Sequence, residues 1–474
     1  MPHPLPCPRA ALPRKKLPIG IQTFAHIREE NYYYVDKTAF AVQLAEEGKA
    51  YFLSRPRRFG KSLFLDTLRA LFAGERALFT GLAAEHRWDW SRRHPVIRMS
   101  FSDGVLRDRA ELEQRIRDIL RTNREALGLQ RPPDLPEHDT AGSLSDLIRQ
   151  AHQRSGQRAV VLIDEYDKPL LDNISQPSAA LELREGLKNI YSVLKGADEH
   201  LQYVFMTGLS KVSKVSLFSG LNNLIDITLD PRYSALCGYT DADVDTVFAP
   251  ELAGLDRQEI QRWYNGYNWL GASVYNPFDV LLFNREFRPY WFETGTPTFL
   301  VTLLAQRGYF TPDLAQLMAP EALLSTFDVD HIPPEALLFQ AGYLTIGEVC
   351  RIPGLTQIQL RYPNLEVRTS LNAVLLQAMT ASPAQYGTHA SRLYSLLQAN
   401  DLAGLRELFH AFYASIPHDW YRSSPIAQYE GYYASIFYSY FAALGLDVRL
   451  EDATNHGRID MTVLFNAHVY IFEF

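Results

Sequence analysis

Five short apolar runs, separated by helical patterns, dominate the first half of the chain. The runs are Tyr51-Phe-Leu-Ser, Val96-Ile-Arg-Met-Ser-Phe, Ala159-Val-Val-Leu-Ile, Tyr203-Val-Phe-Met and Leu224-Ile-Asp-Ile-Thr-Leu. Between them apolar residues recur at helical spacing over Lys61 to Ala73, Ala110 to Leu129, Ser143 to Arg154 and Leu181 to Lys195. Alternation of strand and helix at these lengths predicts an α/β domain with a largely parallel sheet. Runs that are apolar at every position fit strands covered on both faces.

The second half reads differently. From about Tyr239 to Tyr413 the pattern is mostly helical, with one exception. Pro334-Glu-Ala-Leu-Leu-Phe-Gln-Ala-Gly-Tyr reads as a helix, and Leu344-Thr-Ile-Gly-Glu-Val and Gln357-Ile-Gln-Leu-Arg-Tyr follow as a hairpin, which suggests a winged-helix-like unit. After about Ala414 come an aromatic helix, Ile426 to Leu444, and strands at Asp447-Val-Arg-Leu-Glu, Arg458 to Phe465 and His468 to Phe474. The expected division is 1–16 a proline-rich, disordered arm, 17–235 the α/β domain, 236–413 the helical region and 414–474 a second α/β unit.

Composition narrows the function classes. Of 474 residues 47% are apolar and 21% charged, ordinary globular usage. The net charge is 47 − 54 = −7, so no global basic field draws in nucleic acid, and any such contact needs a local patch. Cys7, Cys237 and Cys350 are far apart and form neither a disulfide framework nor a metal spacing, which points to a reducing cytoplasm. No run of about 18 apolar residues is present, so no membrane span is expected.

Arg55-Pro-Arg-Arg-Phe-Gly-Lys-Ser follows the first apolar run and precedes an apolar-periodic helix. That is the setting of a Walker A loop, in which backbone N–H groups and a helix N-terminus bind phosphate. The expected cradle comprises Arg55, Arg57, Arg58, Phe59, Gly60, Lys61 and Ser62, with Lys61 on the β/γ-phosphates and the Ser62 hydroxyl on Mg²⁺. The generic pattern has glycine where this chain has Arg55. Either the loop turns differently or Arg55 adds a cation. Arg55, Arg57 and Arg58 form a basic cluster that is either solvated or in contact with phosphate.

The run Ala159 to Ile163 ends in Asp164-Glu165-Tyr-Asp167, an arrangement of the Walker B type. Asp164 at the strand tip is expected to hold Mg²⁺, and Glu165 to polarise the attacking water. The run from Tyr203 ends in Thr207-Gly-Leu-Ser210. Thr207 and Ser210 are candidates for sensing a γ-phosphate. Alternatively their hydroxyls cap the end of a strand.

A second candidate site lies at the C-terminal hairpin. With Asn466-Ala467 as a two-residue turn, residues whose numbers sum to 933 oppose each other, so Asp460 faces Glu473, on one face with Thr462, Leu464, Val469 and Ile471. Opposed like charges are destabilising, and a divalent cation would offset them. The alternative is an exposed hairpin edge. Glu430 shares a helix face with Ala434, Phe437 and Phe441, and is either a third carboxylate of that cluster or a helix-dipole partner.

With these residues in hand, the chain resembles the bacterial AAA-ATPase-like proteins, in which a P-loop domain precedes a C-terminal PD-(D/E)XK nuclease-superfamily domain. The resemblance rests on Leu17-Pro-Ile-Gly-Ile, Tyr34-Val-Asp-Lys-Thr, the Arg55–Ser62 loop, Leu162-Ile-Asp-Glu-Tyr-Asp-Lys-Pro and Thr207-Gly-Leu-Ser-Lys-Val-Ser. It extends through Phe218-Ser-Gly-Leu-Asn-Asn-Leu, Tyr275-Asn-Pro-Phe, Tyr290-Trp-Phe-Glu-Thr-Gly-Thr-Pro and Gly457-Arg-Ile-Asp. It implies that the arginine-bearing loop is the family's own Walker A. It also implies that Asp460 and Glu473 are nuclease metal ligands and catalytic groups, joined by Glu430. The lysine of the E-x-K pattern would be residue 475, past Phe474, so the nuclease-like domain reads as incomplete at its end.

The expected protein is a cytoplasmic, Mg²⁺-dependent ATPase or ATP-driven switch, with Lys61 and Glu165 as its catalytic residues and ATP and Mg²⁺ as cofactors. Two other readings stand beside it: a nucleotide-sensing signalling or defence scaffold without turnover, and a metal-dependent nuclease with DNA or RNA as partner. A homo-oligomer, in which a neighbouring copy supplies an arginine finger, is a further option for which no residue can be named.

Overall fold

The computed structural model describes residues 14–218, 221, 223–283, 285–295, 300, 304, 311–325, 333–379, 383–414, 430–454 and 457–473. The arm before residue 14 lies outside them.

Every apolar run of the first half forms a strand. They are β1 (Ala50–Ser54), β2 (Val96–Ser100), β3 (Ala159–Asp164), β4 (Leu201–Gly208) and the short β5 (Ile225–Asp226). All pair in parallel in the order β2-β3-β4-β1-β5. β1 and β3 are buried at every position, because helices cover both faces of the sheet. The expected helices are present as Lys61–Phe72, Arg109–Leu127, Thr140–Ser155 and Pro177–Gly196. β5 is shorter than the sequence pattern suggests. Beyond Asp226 the chain turns on Thr228, whose N–H donates to Asp226 Oδ1 at 2.9 Å.

In a parallel sheet all carboxyl ends lie along one edge, and ligands bind there. Here β4 lies between β1 and β3, so the tips of the Walker A and Walker B strands flank Thr207 and Gly208. Hydrogen bonds tie these tips together: Arg55 N–H donates to Gly208 O, Tyr166 N–H to Thr207 O and Phe101 N–H to Asp164 O.

In the middle region the helix Pro334–Ala341 precedes the hairpin of β7 (Thr345–Ile352) and β8 (Leu355–Arg361), as the sequence suggests. An earlier strand, β6 (Leu317–Pro320), pairs with the far side of β8. The helix Leu365–Met379 follows and packs along the C-terminal helix Glu430–Ala443. The chain closes in an antiparallel sheet of β9 (Asp447–Thr454), β10 (Gly457–Phe465) and β11 (His468–Phe472), with β10 central. No helix among the described residues is long and apolar enough to cross a membrane.

Candidate functional site

The loop after β1 is held from within. Gly60 sits at φ 89° and Arg58 at φ 66°, the left-handed region in which glycine is unstrained and arginine is not. Lys61 is the first residue of its helix and is buried. Its Nζ donates to the Arg55 and Pro56 carbonyls, both at 2.9 Å. Phe59 packs edge-on against Tyr267 and Trp269 at 4.8 and 5.4 Å between ring centres, which anchors the loop to the helical region.

Arg55 does not offer its guanidinium to phosphate. It is fully buried, with Nη1 donating to Ser54 O and Thr228 O at 2.9 Å and Nη2 to Tyr233 O at 3.1 Å. The Trp269 ring lies 4.1 Å away. Burial pulls its pKa down to about 10, so it remains charged at neutral pH. Thus the arginine that replaces the generic glycine braces the loop, and only its carbonyl, accepting from Lys61, belongs to the cradle. Arg57 and Arg58 are different. Both are exposed and line the same cavity as Lys61, and Arg58 stacks over Phe278 at 4.9 Å.

That cavity, of ≈ 440 Å³, brings Arg57, Arg58, Phe59, Gly60, Lys61 and Ser62 together with Glu165 and Asp167. Its other wall is apolar and aromatic, with Tyr33, Tyr34, Tyr239 and Phe278 prominent. Sequence reasoning gave Tyr34 and Phe278 only as parts of family segments and passed over Tyr33 and Tyr239, because the two halves of this wall come from segments more than 200 positions apart in the chain.

Glu165 sits at φ 52°, a strained conformation for a non-glycine residue of the kind found at functional sites. Burial raises its pKa, the Lys61 ammonium opposes that, and Asp164 adds to it. Burial likewise lowers the Lys61 pKa, while the charges of Asp164 and Glu165 push it back up. Asp164 is buried and does not line the cavity, but its Oδ1 has no hydrogen-bond partner among the described residues. A buried carboxylate oxygen left open beside a cradle fits a hard divalent cation such as Mg²⁺. Thr207 is fully buried behind the cavity, its hydroxyl also unpartnered.

Ser210 is not free to sense phosphate. Its Oγ donates to Asp167 Oδ2 at 2.7 Å, and the same carboxylate accepts from the N–H groups of Ser210 at 2.6 Å and Leu209 at 3.1 Å. Asp167 therefore latches the β3 tip to the β4 tip. Burial raises its pKa against these three bonds. The Asp-Glu-Tyr-Asp spacing was the available signal for it.

At the other candidate site the register is as the sequence predicts: Thr462 pairs with Ile471, Val463 with Tyr470 and Leu464 with Val469. Asn466 and Ala467 both have positive φ, 47° and 60°, the mark of a type I′ turn. One step beyond the last pair, Met461 with Phe472, Asp460 comes opposite Glu473. Their face is covered on β10 and open on β11: Thr462 is buried and Leu464 half-buried, while Val469 and Ile471 are exposed. Asp460 is half-buried and Glu473 exposed. Glu430 opens its helix, and its side chain is not among the described atoms. Phe437 and Phe441, which share its helix face by spacing, pack on Phe472 at 4.9 and 5.4 Å, on the sheet's inner side. Among the described residues no three His, Cys, Asp or Glu side chains converge as a metal cage.

Residues 18–218 match the AAA-ATPase-like family model, described as a predicted AAA-ATPase. Residues 428–474 match the PD-(D/E)XK nuclease superfamily. An Azotobacter chroococcum mcd 1 protein, described as an uncharacterized protein in the vnfD 5′ region, is 65% identical over 464 residues, which is 97% of this chain and 89% of that protein. The chain belongs to the AAA-ATPase-like family. Its AAA-ATPase-like domain spans the whole parallel sheet except β5 and contains the loop, Glu165 and Asp167. Its nuclease-superfamily domain contains Asp460 and Glu473.

Proposed function

We propose that the protein binds ATP with Mg²⁺ at the carboxyl edge of its parallel sheet and hydrolyses it, and that this cycle acts as a switch on the C-terminal nuclease-type domain. The observation that most supports this is the meeting of Lys61, Arg57, Arg58 and Glu165 in one cavity, beside the unpartnered Asp164 Oδ1. Lys61 and the two arginines bind the phosphates, and the loop N–H groups at the helix start orient them. Ser62 and Asp164 would hold Mg²⁺, which supplies positive charge to the phosphate oxygens when bound. Glu165, its proton affinity raised by burial, takes the proton of the attacking water. Single-turnover hydrolysis tests this. Glu165→Gln should bind ATP as the wild type does and lose hydrolysis. Wild-type protein that binds ATP and leaves it intact would favour the sensing scaffold instead.

The hairpin register supports a second activity, metal-dependent cleavage of DNA or RNA at Asp460 and Glu473. Cleavage with Mn²⁺ or Mg²⁺ by a chain extended with a lysine after Phe474, abolished by Asp460→Ala, would support it, and no cleavage by that extended chain in any nucleotide state would argue against it.

A further inference from the structure

Two sequence segments lie outside the phosphate loop itself, Tyr275-Asn-Pro-Phe and Tyr290-Trp-Phe-Glu. The fold places both against the phosphate loop. The buried Trp291 donates from its indole Nε1 to the Arg57 carbonyl at 3.1 Å, and Asn276 Nδ2 reaches the same oxygen at 3.5 Å. Gly342 closes over the contact: a Cβ there would come within 2.8 Å of Pro56 and 3.2 Å of the Trp291 ring.

Behind Trp291 lies a pair of fully buried acids, Asp279 of the helix Pro277–Leu282 and Glu366 of the helix Leu365–Met379. The Trp291 N–H donates to Asp279 Oδ1 at 2.8 Å and to Glu366 Oε1 at 2.9 Å, and the Phe292 N–H to Glu366 Oε1 at 3.1 Å. Both carboxyls accept from the one Trp291 N–H, so the two acids lie side by side. Two bare carboxylates in contact in a dry site repel too strongly to coexist. Asp279 Oδ2 and Glu366 Oε2 have no hydrogen-bond partner among the described residues. Burial raises both groups, Glu366 to about 7 and Asp279 well above the carboxylate range. Glu293, Tyr264 and Tyr267 are the other titratable groups whose charge bears on the pair.

We propose that Trp291, held by its backbone hydrogen bonds to the buried Asp279 and Glu366, is a positioning residue for nucleotide binding: it fixes the Arg57 carbonyl, and with it the loop that presents Arg57, Arg58 and Lys61. The inference rests on the ATP reading for its consequence, though not for its geometry. It also gives the loop a physical route to the C-terminal domain, because Glu366 lies in the first turn of the helix that packs along Glu430–Ala443.

The test combines amide hydrogen exchange over residues 55–62 in nucleotide-free protein with the KM and kcat for ATP. The proteins are wild type, Trp291→Phe, Glu366→Ala and Glu366→Gln. Phenylalanine keeps the ring and removes the donor. Glutamine can still accept from Trp291 and donate to Asp279, so it should rescue what alanine loses. Expected in Trp291→Phe and Glu366→Ala are about tenfold faster exchange of the loop and a KM raised about tenfold with kcat little changed, the scale of one buried hydrogen bond. Glu366→Gln should stay near wild type, and protection of β3 and β4 amides monitors folding. Unchanged loop exchange in both Trp291→Phe and Glu366→Ala overturns the proposal. If loop exchange responds as stated while the wild type turns over no ATP, the positioning role stands and the ATP reading falls.

Discussion

Replacing Arg55 with glycine restores the generic phosphate-loop pattern and should nevertheless damage the protein. The guanidinium makes three hydrogen bonds to carbonyls at 2.9, 2.9 and 3.1 Å and lies 4.1 Å from the Trp269 ring. Hydrogen bonds from a charged donor contribute about 1.5–3 kcal/mol each, and a desolvated cation–π contact about 2 kcal/mol. The gross contribution is therefore about 7–11 kcal/mol, and several kcal/mol of guanidinium desolvation offset it. A net loss of about 3–5 kcal/mol is expected for Arg55→Gly. Glycine's larger backbone entropy adds about 0.5–1 kcal/mol to that loss. Arg55 does not occupy a positive-φ conformation, so glycine gains nothing there. Urea unfolding followed by tryptophan emission measures the change, with Trp269 as an adjacent reporter. Arg55→Lys keeps the charge, cannot fork to three carbonyls, and should fall between. An Arg55→Gly protein within about 1 kcal/mol of wild type would refute the bracing role.

On the proposed mechanism the ionised form of Glu165 takes the proton; since burial raises its pKa, the hydrolysis rate should climb with pH through a value above the ordinary carboxylate range and then level off. Glu165→Gln should remove that limb and lower the rate by about 10²–10⁴. Burial pushes the Asp226 carboxyl up, but Lys211 and Lys214, at 2.9 and 2.7 Å, outweigh it and hold the pKa below the usual range. A depressed folded-state pKa gives stability that is present above the unfolded value and lost as pH falls through the folded one. Asp226→Asn should therefore cost about 2–3 kcal/mol at pH 7, with the gap to wild type closing below about pH 4, as read by unfolding across pH. Ala467 holds φ 60° in the terminal hairpin, so Ala467→Gly should slow amide exchange in β10 and β11 by about 0.5–1 kcal/mol.

The parallel sheet was legible because buried strands such as Ala159–Ile163 are apolar throughout, a pattern few other structures require. The terminal hairpin's register was legible because one two-residue turn sets every pair. What escaped reading depends on partners remote in sequence. Arg55 meets Thr228, Tyr233 and Trp269, more than 170 positions away, and no local pattern distinguishes a bracing arginine from a phosphate-binding one. Ser210 looked like a sensor because the carboxylate that claims its hydroxyl, Asp167, reaches it across the gap between two strand tips. Asp460 and Glu473 lie on the face opposite the one that Phe437 and Phe441 cover through Phe472, and alternation along a strand does not say which face meets the helix.

Calorimetric titration of MgATP into wild type and Lys61→Ala tests the nucleotide site most directly. Expected is one saturable site per chain in the wild type, and affinity weakened at least about 100-fold in Lys61→Ala, the scale of losing a buried charge-assisted contact. No binding to the wild type, or equal affinity in the two proteins, would contradict a triphosphate held by this loop.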